Sequence, residues 1–407
     1  MMQVPIRPAT EWELTTFITD AAAKRRPLEV MGAGTKRSVG RAFQAAATIS
    51  STGFKGITLY EPGELVMSAR AGTPLAEIEA ELAKRGQMLP FEPIDLGPLL
   101  GTAAAKGTIG GVFATNLSGA RRVISGAPRD HLLGLRAVNG RGELLNFGGR
   151  VMKNVTGYDV TRGLAGSWGT LAVMTEVTFK AVPAPETTST VALLGLDAEL
   201  AVEVMCQAMG TPYEVSAAVH VPKRLAARLA NAEMAAAGQS MTALRLENFE
   251  SFVAYRAGKL RELFKPYGEA LILGQEASLP MWHDLRQLTL LQGSALPLWR
   301  ISTAPRSGPK VVAAIGRYMP VEALYDWSGG LVWLEVPESA DAGATDIRRV
   351  VAQFGGHATL IRADMAQRAA IDVFQPLEPG VERVTRKLKA SFDPAGILNP
   401  GRMYAAA

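Results

Sequence analysis

Leu28-Glu29-Val30-Met31-Gly32-Ala33-Gly34-Thr35-Lys36-Arg37 runs from a short strand pattern straight into a glycine turn. A turn of small residues after a strand lets main-chain N–H groups approach an anion closely, and Lys36 or Arg37 can add positive charge. Two familiar nucleotide loops do not fit. A Rossmann fingerprint needs glycine where Arg37 stands, and a P-loop needs Gly-Lys-Ser/Thr after four intervening residues. Taken alone, the segment reads equally well as an ordinary tight turn.

A second side-chain-poor stretch shifts that balance. Gly107-Thr108-Ile109-Gly110-Gly111 is followed by Asn116-Leu117-Ser118-Gly119 and by Arg129-Asp130-His131-Leu132-Leu133-Gly134. The two glycine loops are expected to clamp a pyrophosphate from both sides through main-chain amides, and a bulky side chain at Gly110 is expected to fill that approach. A third block, Gly157-Tyr158-Asp159 and then Gly166-Ser167-Trp168-Gly169-Thr170, leads into the apolar strand Leu171 to Phe179, which can present backbone groups to a heterocycle.

Around these loops the pattern reads as alternating elements. Residues 10–26 form a helix opened by Thr10, with Glu13 three positions on as a capping box. Leu65 to Arg70 is a strand. Leu75, Ile78 and Leu82 have helical spacing, and Gly86 ends that helix. Residues 132–147 alternate as a hairpin about Asn139-Gly140-Arg141-Gly142. Composition breaks at Val182-Pro183-Ala184-Pro185-Glu186-Thr187-Thr188-Ser189-Thr190, a crossing between domains. Strand–helix–strand units follow: 191–196, 198–209 and 215–221; then 243–246, 249–265 and 270–274; then 298–302, 309–317 and 331–336, with a helix at 344–354 and a strand at 357–362. Repeats of this kind favour a helix-backed, mostly antiparallel sheet. The end carries a basic helix, 381–391, and a turn-rich tail.

The chain has 407 residues, enough for two domains with full cores. A net charge of +5 with acids and bases interspersed gives no reason to expect nucleic acid as a partner. The single cysteine, Cys206, excludes an internal disulfide and a four-thiolate iron–sulfur cluster. Apolar neighbours make it a buried helix residue. The N-terminus lacks an apolar core for secretion, and no run of apolar residues is long enough to span a bilayer. A reducing cytoplasm is the expected setting.

Jointly the three blocks resemble the vanillyl-alcohol-oxidase type of FAD domain, also called the PCMH-type FAD-binding domain. The likeness covers roughly residues 1–185 plus the C-terminal tail. Phe392-Asp393-Pro394-Ala395-Gly396-Ile397-Leu398-Asn399-Pro400-Gly401 closely matches that family's closing signature. Lys153-Asn154-Val155-Thr156-Gly157-Tyr158-Asp159, Leu298-Trp299-Arg300-Ile301-Ser302 and Gly401-Arg402-Met403-Tyr404 narrow the resemblance to the E-subunit family of glycolate oxidase (glycolate dehydrogenase). The resemblance implies an α+β protein. A PCMH-type two-part FAD-binding domain would occupy 1–185 and an α+β cap domain with a mostly antiparallel sheet 190–375. The tail, 376–407, would return to the FAD domain.

The resemblance also implies the site. Gly32, Ala33, Gly34, Thr35 and Lys36 would hold the FAD diphosphate. Gly107, Thr108, Ile109, Gly110 and Gly111, with Asn116, Ser118 and Gly119, would flank the pyrophosphate and isoalloxazine. Gly166, Gly169, Thr170 and Val173 would complete the nucleotide pocket. Related catalytic subunits have glutamate where this chain has Trp168, so the contact at that position departs from the pattern. Non-covalent FAD is expected; covalent attachment through His131 is the minority reading.

Oxidising a 2-hydroxy acid needs a base near the hydroxyl and a cation for the carboxylate. The family's catalytic subunits carry a histidine-rich metal motif in the cap domain, whereas His131, His220, His283 and His357 are isolated here, so no metal site is expected. Arg300 is the one candidate for the carboxylate, against a structural ion pair as the plainer reading. Arg383, Arg386, Lys387 and Lys389 are most simply a solvated helix face, and secondarily a surface for an acidic partner. The implied function is an FAD-binding subunit of a multi-subunit glycolate or 2-hydroxy-acid dehydrogenase. Its expected partners are a homologous catalytic flavin subunit and an iron–sulfur subunit, through which membrane association stays open. The alternative is a structural partner that keeps the fold without the cofactor.

Overall fold

In the computed structural model, which describes residues 4–149 and 159–405, the chain divides into two units. The first comprises the segments up to Ser118, from Gly126 to Ala184 and from Asp372 onward; the second comprises Gly119–Ser125 and Pro185–Ile371.

The first unit opens with helix α1, Glu11–Ala23. Thr10 caps it by accepting from the Glu13 amide at 3.2 Å, and Glu13 Oε2 reaches back to the Ala9 N–H at 2.8 Å, one residue earlier than a standard capping box. Leu14, Ile18 and Ala21, at spacings of four and three, face the core. Strand β1, Leu28–Met31, pairs in parallel with β2, Ala47–Ser50. Strands β3, Ile57–Glu61, and β4, Val66–Arg70, begin a second sheet, and helix α2, Leu75–Ala83, follows. After helix α3, Ile109–Thr115, come β5, Leu132–Asn139, β6, Leu144–Gly148, and β7, Ala172–Lys180. The sheet order is β3-β4-β7-β5-β6, antiparallel throughout.

The hairpin between β5 and β6 is closed by the Asn139 side chain, whose Oδ1 accepts from the amides of Arg141 and Glu143 at 2.9 and 3.0 Å. On one face of the sheet, Phe91 and Phe113 meet edge to face and Phe179 tilts against Phe113, all packed with Ile78, Leu82 and Leu135. Burying side chains of this size contributes roughly 1.5–3 kcal/mol each. A second cluster joins α1 and β1 to Ile397 and Leu398 from the far end of the chain.

The second unit is a single eight-stranded antiparallel sheet backed by helices, so this half of the chain is α+β as its pattern indicates. Its strands are β8, Thr187–Leu194; β9, Val215–Val221; β10, Met241–Asn248; β11, Ala270–Leu273; β12, Leu298–Ser302; β13, Glu322–Asp326; β14, Leu331–Glu335; and β15, His357–Arg362. The order β11-β8-β10-β9-β13-β14-β12-β15 places two four-stranded halves side by side. They join where His220 on β9 meets Tyr325 on β13. That histidine is buried, its Nδ1 3.0 Å from Thr242 Oγ1, and burial lowers its pKa to about 4, so it packs as a neutral ring. Helices Ala198–Met209 and Glu250–Leu263 cover the first half. Cys206 lies half-buried on the former, its Sγ 3.8 Å from the Ser328 carbonyl, and burial raises its pKa.

Candidate functional site

β1 ends in the glycine turn, and the space beyond it is a cleft of about 740 Å³ including its mouth, lined wholly by the first unit. Gly34 needs its glycine because its φ is +84°. Gly32 needs its glycine for a different reason: a Cβ there would sit 2.4 Å from Thr108 Oγ1. The Gly32 carbonyl accepts from Ser50 Oγ at 2.8 Å, and the Arg37 amide donates to the Gly34 carbonyl at 3.0 Å. Among the described residues, the five amides from Gly32 to Lys36 have no protein acceptor. Consecutive undonated N–H groups on a tight turn form an anion cradle.

The charge beside that cradle comes from Lys36 alone of the two expected cations. Arg37 turns back onto Glu29, Nε to Oε1 at 2.7 Å and Nη2 to Oε2 at 2.6 Å, with Thr48 Oγ1 also donating to that carboxylate. This bidentate pair raises the Arg37 pKa. Burial lowers the Lys36 ammonium pKa to about 8 against the opposing pull of Asp95. Lys36 makes no ion pair among the described residues. A half-buried ammonium without a counter-ion, next to five open amides, fits a diphosphate.

The second glycine loop behaves differently from expectation. Thr108 caps α3 by accepting from the Gly111 amide at 3.3 Å, the Ile109 amide donates to the Thr73 carbonyl at 3.0 Å, and the Gly110 amide to the Ala71 carbonyl at 2.8 Å. These three donors already have acceptors within the protein, so α3 contributes a close-packed wall and not a second set of anion donors. Gly110 is glycine because a Cβ would meet Ala71 Cβ and O at 2.7 Å. A bulky residue there would push the backbone after β4 before it filled the cleft, which corrects the expectation that Gly110 is an open approach to the pyrophosphate.

The third wall is the turn Ser167-Trp168-Gly169, entered by Gly166 at φ +83° and held by Gly169 at φ +72°. Asn399 staples this turn to β1. Its Oδ1 accepts from the Val30 amide at 2.7 Å, while Nδ2 donates to the carbonyls of Val30 at 3.0 Å and Trp168 at 2.8 Å. Lys389, expected on a solvated face, is buried instead: its Nζ donates to the carbonyls of Thr170 at 2.6 Å and Leu398 at 2.9 Å and pairs with Asp393 at 2.7 Å. Trp168 packs edge-on against Phe374 at 5.4 Å and lies under the Arg402 guanidinium at 5.8 Å.

The cleft thus gathers Gly32, Ala33, Gly34, Thr35, Lys36, Thr108, Gly110, Gly111, Gly169 and Val173 from the sequence-derived set. Gly107, Ile109, Asn116, Gly166 and Thr170 stand behind its walls. Gly107 accepts from the Leu75 amide at 2.9 Å, and Asn116 closes α3 at φ +53° with its Oδ1 accepting from the Arg129 amide. Ser118 is buried, and Gly119 groups with the second unit, its carbonyl accepting from Trp327 Nε1 at 2.9 Å. Of Lys153-Asn154-Val155-Thr156-Gly157-Tyr158-Asp159 only Asp159 is among the described residues, capping the helix Val160–Leu164. Ser51, Ala114 and Arg402 also line the cleft and were not singled out. Arg402 stands in the C-terminal motif, but its contact with the Lys36 carbonyl at 2.9 Å spans nearly the whole chain and has no local signature.

Arg300 belongs to the second unit. On β12 its guanidinium lies 5.0 Å over Trp327 and 6.0 Å over Trp333, and its buried Nε has no acceptor among the described residues. Burial, reinforced by Arg122 and opposed by Asp326, lowers its pKa to about 10. The plainer expectation of a tight structural ion pair gives way to an aromatic cradle. Of the isolated histidines, His131 packs against Phe91 at 5.7 Å. Among the described residues no group of three His, Cys, Asp or Glu could hold a metal ion.

Comparison with known proteins agrees with this geometry. Residues 2–148 match the family model described as FAD binding domain. The chain is 34% identical over 396 residues to glycolate oxidase subunit GlcE of Escherichia coli, covering 95% of both chains. It is 28% identical over 195 residues to glycolate oxidase subunit GlcD of Bacillus subtilis, covering 48% of this chain and 40% of that one. An alkyldihydroxyacetonephosphate synthase structure superposes with a TM-score of 0.69 at 17% identity, over 97% of this chain and 75% of the other, which establishes the shared PCMH-type fold. An FAD-binding oxidoreductase on that fold, similar to GlcE from end to end, this chain belongs to the glycolate oxidase subunit GlcE family.

Proposed function

We propose that this chain holds one non-covalent FAD as a subunit of a multi-subunit dehydrogenase for glycolate or a similar small 2-hydroxy acid, and passes electrons toward an iron–sulfur subunit. The observation that carries the reading is the cradle of five open amides, Gly32 to Lys36, beside the Lys36 ammonium. In this reading they hold the diphosphate, while Thr108, Gly110, Gly111, Gly169 and Val173 line the rest of the cofactor, supported from behind by Gly107, Ile109, Asn116, Gly166 and Thr170. Ser118 and Gly119 are not among the residues that line the cleft. Bound FAD would supply the conversion between two-electron oxidation of a hydroxy acid and single-electron transfer to a cluster.

The Escherichia coli relative is a glycolate oxidase subunit, and the proposed division of labour follows from what this chain lacks. In this reading any cluster sits on another chain, as the single cysteine here suggests, and metal-assisted substrate chemistry belongs to a homologous subunit, as the isolated histidines suggest. Non-covalent binding is favoured because neither His131 nor Cys206 lines the cleft. Arg300 stands as the one carboxylate-binding candidate outside it. Cytoplasmic residence, with any membrane contact made through partners, accords with no helix among the described residues being long and apolar enough to cross a membrane.

The test is the purified chain's visible spectrum and its flavin-to-protein ratio. Wild type should carry the two absorption bands of oxidised flavin, released in full by denaturation. Ala33→Trp, whose new side chain enters the cleft from an exposed position, should fold normally and come out colourless. A folded wild type that stays colourless after incubation with FAD would make the cofactor-free structural partner the correct reading.

A further inference from the structure

Among the described residues Arg300 makes no hydrogen bond and no ion pair, and its Nε is sealed from water. On β12 it has Trp333 of β14 directly across on one side and Thr359 of β15 on the other, so the three share one face of the sheet. Trp327 and Trp333 lie against its guanidinium. An indole covers the face of a guanidinium, whereas the N–H donors point outward in its plane, so stacking satisfies none of them. Asp326 favours the charge from a distance, its Oδ1 accepting from the Trp327 amide at 2.7 Å. Arg122 works the other way: its guanidinium lies 5.0 Å from the same Trp327 ring and adds like charge. Leaving a buried charged donor unmet costs about 1–3 kcal/mol or more. The fold nevertheless holds this arrangement firmly. Trp327 and Ser328 are left-handed at φ +51° and +58° although neither is glycine, which costs about 1–3 kcal/mol each, and Trp327 Nε1 is tied to the carbonyl of Gly119, three residues before Arg122.

We propose that Arg300 anchors a binding site for a small monocarboxylate on this face of the second unit's sheet. It gives the chain a carboxylate-binding role of its own, beyond holding a flavin. The planar fork of a guanidinium matches the two oxygens of one carboxylate, and one fork without an acceptor asks for one negative charge. A phosphate dianion brings more charge and more acceptors than a single fork meets. Ser302 lies two residues along the same face, with His357 directly across on β15. The hydroxyls of Ser302 and Thr359 make no hydrogen bond among the described residues, so an α-oxygen on the ligand finds a partner beside the fork. The His357 pKa is lowered by burial and by both Arg300 and Arg122, which keeps its ring neutral and free of further like charge. Part of the Arg300 side chain remains open to solvent, which lets a small ligand reach it. All these residues belong to the second unit and none lines the cofactor cleft, so the inference stands independently of the FAD reading.

The experiment titrates the full purified chain, in buffer free of carboxylate and phosphate, with glycolate, acetate and inorganic phosphate in a calorimeter, and reads flavin content separately. Wild type should bind one glycolate per chain, acetate several-fold more weakly for want of the α-hydroxyl, and phosphate not measurably. Arg300→Met should lose about 10- to 100-fold in glycolate affinity, and glycolate should raise the melting temperature of wild type but not of this variant. Thr359→Val keeps the shape of the side chain and removes the hydroxyl, so glycolate affinity should fall about 2- to 10-fold. A wild type that binds none of the three anions, or binds phosphate as well as glycolate, overturns the site, as does an Arg300→Met that keeps wild-type affinity. Should Arg300→Met fail to fold, Thr359→Val decides, and unchanged glycolate affinity in it overturns the site. A colourless chain that binds glycolate through Arg300 would refute the cofactor reading and leave this one standing.

Discussion

Lys36 gives the anion cradle a pH signature. In the free protein its ammonium has a pKa of about 8, lowered by burial and sustained in part by Asp95. A diphosphate placed against it stabilises the charged form, so binding raises that pKa, and protonation and FAD binding assist each other. A charge-assisted hydrogen bond contributes about 1.5–3 kcal/mol, of which 1.4–2.8 kcal/mol corresponds to a pKa rise of one to two units. FAD affinity is therefore greatest below pH 8 and declines as pH climbs through 8. With those values it should fall by about 5- to 20-fold between pH 7 and pH 9.5. Lys36→Met should bind about 10- to 100-fold more weakly at pH 7 and lose the slope. Lys36→Arg, which carries a charge that does not titrate in this range, should bind with a flat profile. Quenching of flavin fluorescence on titrating apoprotein into FAD reads all three. A flat wild-type profile, or a Met variant that keeps the wild-type slope, would show that Lys36 does not face the diphosphate.

Asn399→Ala removes three buried hydrogen bonds, to Val30 N–H, Val30 C=O and Trp168 C=O. At about 1 kcal/mol each the loss is roughly 3 kcal/mol, which calorimetry should read as a melting temperature lowered by about 6–12 °C; the flavin-to-protein ratio should fall with it because both partners line the cleft, and an unshifted melting curve would show the staple to be idle. Lys389→Met strands Asp393 without its cation and should cost about 3–5 kcal/mol in urea unfolding. Adding Asp393→Asn should recover part of that loss, since an amide oxygen still accepts from one of the Ile397 and Leu398 amides without carrying charge; a double variant as unstable as the single one would refute the buried-charge account.

Local chemistry made several elements legible in advance. β1 and the turn after it follow from an apolar run meeting glycines, and the β5–β6 hairpin follows from Asn139, whose side chain closes its own turn. Antiparallel pairing in the second unit was readable from strand–helix spacing, although the joint between its halves at His220 and Tyr325 was not. Lys389 misled because its neighbours Arg386, Lys387 and Ala390 do face solvent. Besides Asp393 four residues on, its ammonium finds acceptors in the carbonyls of Leu398, where the chain returns, and of Thr170, 219 residues away.

The glycine loops show where such reading stops, and why. A glycine marks a place where something must come closer than a Cβ allows, and the sequence does not say whether that thing is a ligand or another part of the chain. At Gly110 it is the chain: Ala71 occupies the space, and the amides of Ile109 and Gly110 donate to Thr73 and Ala71. At Gly32 it is also the chain on one side, Thr108 Oγ1, but the amides there remain open toward the cleft. Two loops alike in composition therefore do different work, one packing the wall and the other facing the space, and the distinction lies in where the backbone donors go. The same count applied to the turn at Gly169 finds Asn399 against its missing Cβ and Lys389 against the next carbonyl, so that wall is shaped by the C-terminal signature. On the proposed reading, such a cleft has its anion grip encoded locally, within five residues, while its shape is encoded by contacts that cross the full length of the chain.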